Sequence, residues 1–113
     1  MKKIILSVIA LFVFSAFGLA QYQDTLWHNN EQIREIRTYK DSTGVLNGKC
    51  IQYFEDGSVS AIVYYKNGLK NGPWRIWHPN GNVAYELQYK KGERIGVWKS
   101  YNPEGKLVFE KKY

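Results

Sequence analysis

Glycines recur through this chain at a fixed step of 24 residues: Gly48, Gly72 and Gly96 form one series, Gly57, Gly81 and Gly105 a second, and Gly68 and Gly92 a third. Aromatic residues keep the same step. Tyr53, Trp77 and Tyr101 form one aromatic series and Tyr65, Tyr89 and Tyr113 another, while Cys50, Trp74 and Trp98 form a third in which cysteine stands at the first tryptophan position. A period in the twenties is too short for an independent domain, and it marks stacked supersecondary units that bury their apolar faces against one another. Such an architecture leaves little room for a catalytic core.

The content of each unit is a hairpin. Residues 48–54 and 58–65 are of strand length and rich in β-branched and aromatic side chains, with Glu55-Asp56-Gly57 between them. In the next copy the turn is His78-Pro79-Asn80-Gly81. Proline presets φ, asparagine tolerates the third turn position and glycine reaches positive φ, which fits a type I turn closed by a glycine bulge. Asn102-Pro103-Glu104-Gly105 repeats it. Between hairpins, Gly68 and Gly72, and again Gly92 and Gly96, let the chain reverse twice in a short span. Val83, Tyr85, Leu87 and Tyr89 alternate with Ala84, Glu86 and Gln88, and Leu107, Phe109, Lys111 and Tyr113 alternate with Val108, Glu110 and Lys112, so one face of the sheet is expected to be apolar. Trp74 and Trp77 are three apart. Regular pleating sends them to opposite faces, and a bulge would realign them.

A leading half-repeat precedes these units. Trp27, His28, Ile33 and Tyr39 match Trp77, His78, Val83 and Tyr89, with Glu31 in place of the turn glycine. The reading is therefore a degenerate half-repeat at 27–46 and repeats at 47–70, 71–94 and 95–113, with a short polar lead at 21–26 outside the regular structure. No helical apolar period survives in this region, and glycines interrupt every helix-length window after Tyr39.

Residues 1–20 read as a secretory signal. Lys2 and Lys3 precede an uncharged run at 4–20 that ends in small residues before Gln21. The run falls short of the roughly 20 apolar residues that span a bilayer. The expected location is periplasmic or extracellular, with an uncleaved membrane anchor as the alternative. Removing Lys2 and Lys3 from the 16 basic residues leaves 14 against 10 acidic ones. That mild excess falls mostly in turns and reads as a solvated rim. Nucleic acid is not an expected partner for an exported chain. Cys50 is the single cysteine, so it either fills a buried slot or pairs with a second chain.

The pattern Asn-Gly-x-Trp-x-x-Trp-x-Pro-Asn-Gly-x-Val at 71–83, echoed at 47–59 and 95–107, resembles the MORN repeat in its bacterial variant form. The resemblance covers about 27–113 and departs from the pattern at Cys50 and Glu31. It implies an all-β fold in which tandem 24-residue hairpins form an elongated antiparallel sheet. It also implies an interaction or membrane-association module, and chains of this kind are often labelled antitoxin-like.

No cofactor, metal or nucleophile constellation stands out. His28 and His78 share a repeat position but have no further ligand at metal spacing. The candidate partner-binding residues are Tyr53, Trp74, Trp77, Trp98 and Tyr101 with Lys70 and Arg94, an aromatic stripe beside a cationic rim. Gly48, Gly57, Gly68, Gly72, Gly81, Gly92, Gly96 and Gly105 are assigned to the backbone of the repeat. The leading expectation is a non-enzymatic module that binds another protein, with self-association possible through the last strand, whose outer edge has no following unit to pair it. The alternatives are envelope glycan or anionic lipid at the stripe, and an antitoxin-like partner of a toxin.

Overall fold

The computed structural model describes residues 8–14 and 19–113, with side chains from residue 22 onward. These residues form one eleven-stranded antiparallel sheet. Its strands are β1 (Val8–Phe14), β2 (Leu19–Trp27), β3 (Ile33–Tyr39), β4 (Gly48–Tyr53), β5 (Val59–Lys66), β6 (Leu69–Lys70), β7 (Gly72–Trp77), β8 (Val83–Lys90), β9 (Glu93–Arg94), β10 (Val97–Tyr101) and β11 (Leu107–Lys112). The order across the sheet is β1-β2-β3-β4-β5-β7-β8-β10-β11, with β6 folded back on β5 and β9 on β8. At about 4.8 Å per neighbour these nine strands account for the 41 Å long axis, and the other extents are 37 and 25 Å. Every described element is a strand, so the tandem-hairpin, all-β expectation holds.

The hairpin turns follow the local chemistry. His78 N–H donates to the Asn82 carbonyl at 2.8 Å and Gly81 N–H to the His78 carbonyl at 3.0 Å, with Gly81 at φ 92°. Residues 54–58 and 102–106 repeat the same pair of bonds. In the leading hairpin Glu31 holds φ 69° where the other copies have glycine. The β2–β3, β4–β5, β7–β8 and β10–β11 hairpins each carry a register shift beside their turn, between Ile76 and Trp77 in the β7–β8 pair. Ile76 faces Tyr85 and Trp77 faces Val83, so Ala84 sits in a bulge. Ala84 is accordingly buried, while Tyr85, expected on the buried face, is 46% exposed. The simple alternation read from the sequence breaks at that extra residue.

The other side of the sheet is stitched by the double-glycine segments. Asn67 and Gly68 have φ 50° and 81° and close a two-residue turn between Lys66 and Leu69, and Lys91 and Gly92 repeat it at 49° and 82°. Gly68 N–H reaches back to the Leu46 carbonyl and Gly92 N–H to the Lys70 carbonyl, both at 2.8 Å. The Asn47 and Asn71 side chains accept from the Asn67 and Lys91 amides. Consecutive units are thus bonded at their turns as well as along their strands.

Two expectations for the N-terminal part need restating. Residues 21–26, expected as a polar lead outside the regular structure, lie in β2, and residues 22–27 pair with β3 from Tyr22–Tyr39 to Trp27–Ile33. Their alternation matches the first strand of a hairpin, and the missing cue was the glycine that opens the other copies. Of the expected signal segment, residues 1–7 and 15–18 lie outside the described residues, while 8–14 form the backbone of β1, paired with β2.

No second layer covers the sheet among the described residues, so side chains of one face pack on each other. The core is Cys50, Ala61 and Val63, joined by Leu46, Tyr65, Trp74 and Ile76. It lies on β4, β5 and β7, at the middle of the strand order.

Candidate interaction surface

Cross-strand register sorts the candidate residues onto two faces. On the first, Cys50 faces Val63, Trp74 faces Leu87 and Trp98 faces Lys111. Beside that row runs a continuous stack of rings. Tyr65 meets Trp74 at 5.5 Å between centroids, Trp74 meets Tyr89 at 5.1 Å, and Tyr89–Trp98 and Trp98–Tyr113 are each 5.0 Å. The rings are tilted or edge-on, the arrangement that aromatic quadrupoles favour. Both indoles are fixed by one bond each: Trp74 Nε1 donates to the Tyr64 carbonyl and Trp98 Nε1 to the Gln88 carbonyl, both at 3.0 Å. The inter-hairpin turns bring cations onto the stack. Lys70 Nζ lies 4.9 Å from the Trp74 ring and 5.0 Å from Tyr89, and the Arg94 guanidinium lies 5.0 Å from Trp98 and 5.6 Å from Tyr113.

Trp77 lies on the other face, with the Arg75 guanidinium 5.9 Å from its ring. The β7–β8 bulge falls on β8, so it leaves Trp74 and Trp77 on opposite sides. The expected stripe therefore divides: Trp74, Trp98, Lys70 and Arg94 come together, while Tyr53, Trp77 and Tyr101 lie along the turn side of the hairpins. Two of these also take part in holding the turns. His28 Nε2 donates to the Tyr53 carbonyl and His78 Nε2 to the Tyr101 carbonyl, each at 2.8 Å. A carbonyl only accepts, so both rings carry their proton on Nε2. Asn30 and Asn80 add bonds to the Glu55 and Pro103 carbonyls. The histidines therefore tie one turn to the next, which accounts for their shared repeat position.

Sequence reasoning missed the charge row on the second face. Thr25, Ile36, Ile51 and Ile62 continue across the sheet as Arg75, Glu86, Lys99 and Glu110, each facing the next. Arg75 Nη2 is 3.2 Å from Glu86 Oε1. The available signal was that Arg75 and Lys99, like Glu86 and Glu110, are one repeat apart. A cavity of about 450 Å³ opens beside this row, lined by Tyr64, Trp74, Arg75, Trp77, Glu86 and Val97 among others. Among the described residues no three His, Cys, Asp or Glu side chains gather to hold a metal ion.

Individual groups are tuned by simple causes. Burial pushes the Cys50 thiol up, and at 1% exposure it has no route to a second chain while the unit is folded. Burial also raises the phenols of Tyr39 and Tyr65. The Ser58 hydroxyl and amide hold Asp56 below the usual carboxylate range, and Thr43 does the same for Asp41. The Glu35 carboxylate strengthens the protonated state of Arg37. Asp24 is 7% exposed; its Oδ2 accepts from the Tyr39 hydroxyl at 3.0 Å, and its Oδ1 has no hydrogen-bond partner.

Among the longer strands with described side chains, β11 is the least covered. All six of its residues are exposed, and it pairs with β10 alone among the described residues. Leu107, Phe109 and Tyr113 are exposed apolar or aromatic groups, and Val108 is 63% exposed. On comparison with known proteins, neither a curated protein nor a solved structure matches the chain. The MORN repeat variant family model matches residues 46–67, 70–91 and 94–113. These segments are the three glycine-phased hairpins and make up more than half of the sequence, so the chain belongs to the MORN repeat variant family.

Proposed function

We propose that the protein is an exported, non-enzymatic interaction module that takes a β-strand of another protein onto the free edge of β11. The observation that carries this reading is the edge itself, where Leu107, Val108 and Phe109 are exposed and where, among the described residues, a strand neighbour lies on one side only. Tyr113 N–H turns inward to the Gly96 carbonyl at 2.8 Å. By strand alternation the Glu110 and Lys112 amides point outward, ready to pair with an incoming strand. The apolar side chains then supply contact area and the backbone supplies register. Binding of a glycan or anionic lipid at the aromatic stripe has less support, because the rings cover one another and Lys70 and Arg94 lie over them.

The test is Glu110→Pro. Proline removes one outward N–H and no inward bond, a substitution that edge strands tolerate. The expected result is an unchanged unfolding temperature with loss of binding to proteins of the exported fraction of the native cells. Equal capture by the variant and the parent chain would overturn strand addition.

A further inference from the structure

We propose that the strand taken up by β11 is β2 of a second copy of this chain, once residues 1–20 have been removed. The inference rests on the export and strand-addition reading above. Three junctions between hairpins share one register: Glu35 faces Gln52, Ala61 faces Ile76 and Tyr85 faces Ser100. Within the hairpins, Leu26, Gln52, Ile76 and Ser100 occupy equivalent positions, because they face Glu35, Ala61, Tyr85 and Phe109. The outer edge of β11 and the outer edge of β2 are therefore the two halves of a fourth junction of the same kind. In that register Phe109 faces Leu26 of the second copy, Glu110 faces Thr25, Lys111 faces Asp24 and Tyr113 faces Tyr22.

The side chains at these two edges are complementary. At the two later internal junctions the same register sets Val63 against Trp74 and Leu87 against Trp98. At the proposed junction both positions depart from that apolar pattern, and they depart in opposite directions, with Lys111 on one edge and Asp24 on the other. In the full chain, with β1 on one side and Arg37 facing it on the other, Asp24 has an Oδ1 with no hydrogen-bond partner. Loss of β1 opens that carboxylate to the edge, where the Lys111 ammonium supplies a partner across the strands. The ring row itself ends at Tyr113, because the next tryptophan position is Asp24 and Tyr22 stands at the position of Gly72 and Gly96; Phe109 would cover Leu26.

In the full chain this edge of β2 is occupied, since Ile9 of β1 faces Asp24 and Leu11 faces Tyr22. Removal of residues 1–20 takes β1 away, so export and assembly are linked. The contact joins two different surfaces, so each added copy leaves one edge of each kind open to a further copy until the rotation closes a ring.

The test uses the chain expressed with residues 1–20 in a secreting host, its exported product identified by mass and followed by sedimentation velocity over a hundredfold range of concentration. The expected product begins at Gln21 and grows with concentration past the dimer. Lys111→Glu, on a strand whose residues are all exposed, and Asp24→Asn, which keeps the shape of the side chain, should each weaken association about tenfold or more, as removal of one member of a close interfacial charge pair does. Should Asp24→Asn disturb folding, Lys111→Glu reads the same contact from the other edge. A product that keeps Met1, one that stays monomeric throughout, or association that Lys111→Glu leaves unchanged would overturn the proposal. A monomeric product whose capture of other proteins is still abolished by Glu110→Pro would reject the second copy as partner and leave strand addition standing.

Discussion

The first full repeat and the last one share a backbone and differ in what holds their side chains. At the ladder positions the first has Leu46, Cys50 and Tyr65, and the later units have Lys70, Trp74 and Tyr89, then Arg94, Trp98 and Tyr113. On the opposite face the row changes from Ile36, Ile51 and Ile62 to Arg75, Glu86, Lys99 and Glu110. The early unit is held by small aliphatic groups packed to near-zero exposure. The later units are held by stacked rings, cations over those rings and charges that alternate across strands. Aliphatic packing needs neighbours on both sides. Stacking and ion pairs work with one side in water, so the sheet grades from a closed middle to an open edge.

The sharpest way to break this contrast is to move a charge between equivalent positions. Val63 is buried at the place that Lys111 fills on β11. Val63→Lys should cost roughly 3 kcal/mol or more through an unpaired buried charge. Lys111→Val should change stability by no more than about 0.5 kcal/mol, as surface substitutions do. Urea unfolding of both variants measures the difference, and equal effects would erase the distinction between middle and edge.

A smaller effect separates two rungs of the ring stack. Trp74 packs between Tyr65 and Tyr89 and also touches the aliphatic core, while Trp98 lies between Tyr89 and Tyr113 beside the exposed edge. Trp74→Ala should cost about 3 kcal/mol and Trp98→Ala about half that, from lost area, ring contacts and one hydrogen bond each. Thermal unfolding followed by tyrosine fluorescence orders the two, and a larger loss at Trp98 would move the centre of stability toward the edge.

The smallest prediction concerns the turns that join the units. Lys91 holds φ 49° where Asn67 holds the same conformation at 50° in the preceding copy. Asparagine tolerates the left-handed region better than lysine does. Lys91→Asn should therefore stabilise the chain by about 0.5 kcal/mol, read as a small rise in unfolding temperature. No rise would mean that the turn amide bonded to Asn71 already compensates for the strain.

Much of this architecture was legible before any coordinates. The positive φ of Gly57, Gly81 and Gly105 follows from the residues of each turn, and the hairpin strands follow from the aromatic and β-branched runs that flank them. The turn role of His28 and His78 was half legible, since their common position was visible but the carbonyls they reach were not. β2 was missed because it lacks the opening glycine, and Asp24 stands where the later copies have tryptophan. Ala84 was placed by alternation on the outer face, and only the bulge opposite Ile76 explains its burial.

What the sequence determined by itself was local: the period, the turns, the strand pairs within each hairpin and membership of a repeat family. Each depends on residues a few positions apart, whose φ preferences and alternation act before any unit meets another. What only the tertiary structure decided was relational. The separation of Trp74 from Trp77, the ring stack with Lys70 and Arg94 over it, the charge row and the unpartnered oxygen of Asp24 all depend on how one hairpin is set beside the next. That register is fixed by hydrogen bonds and packing between units, so no single repeat contains it.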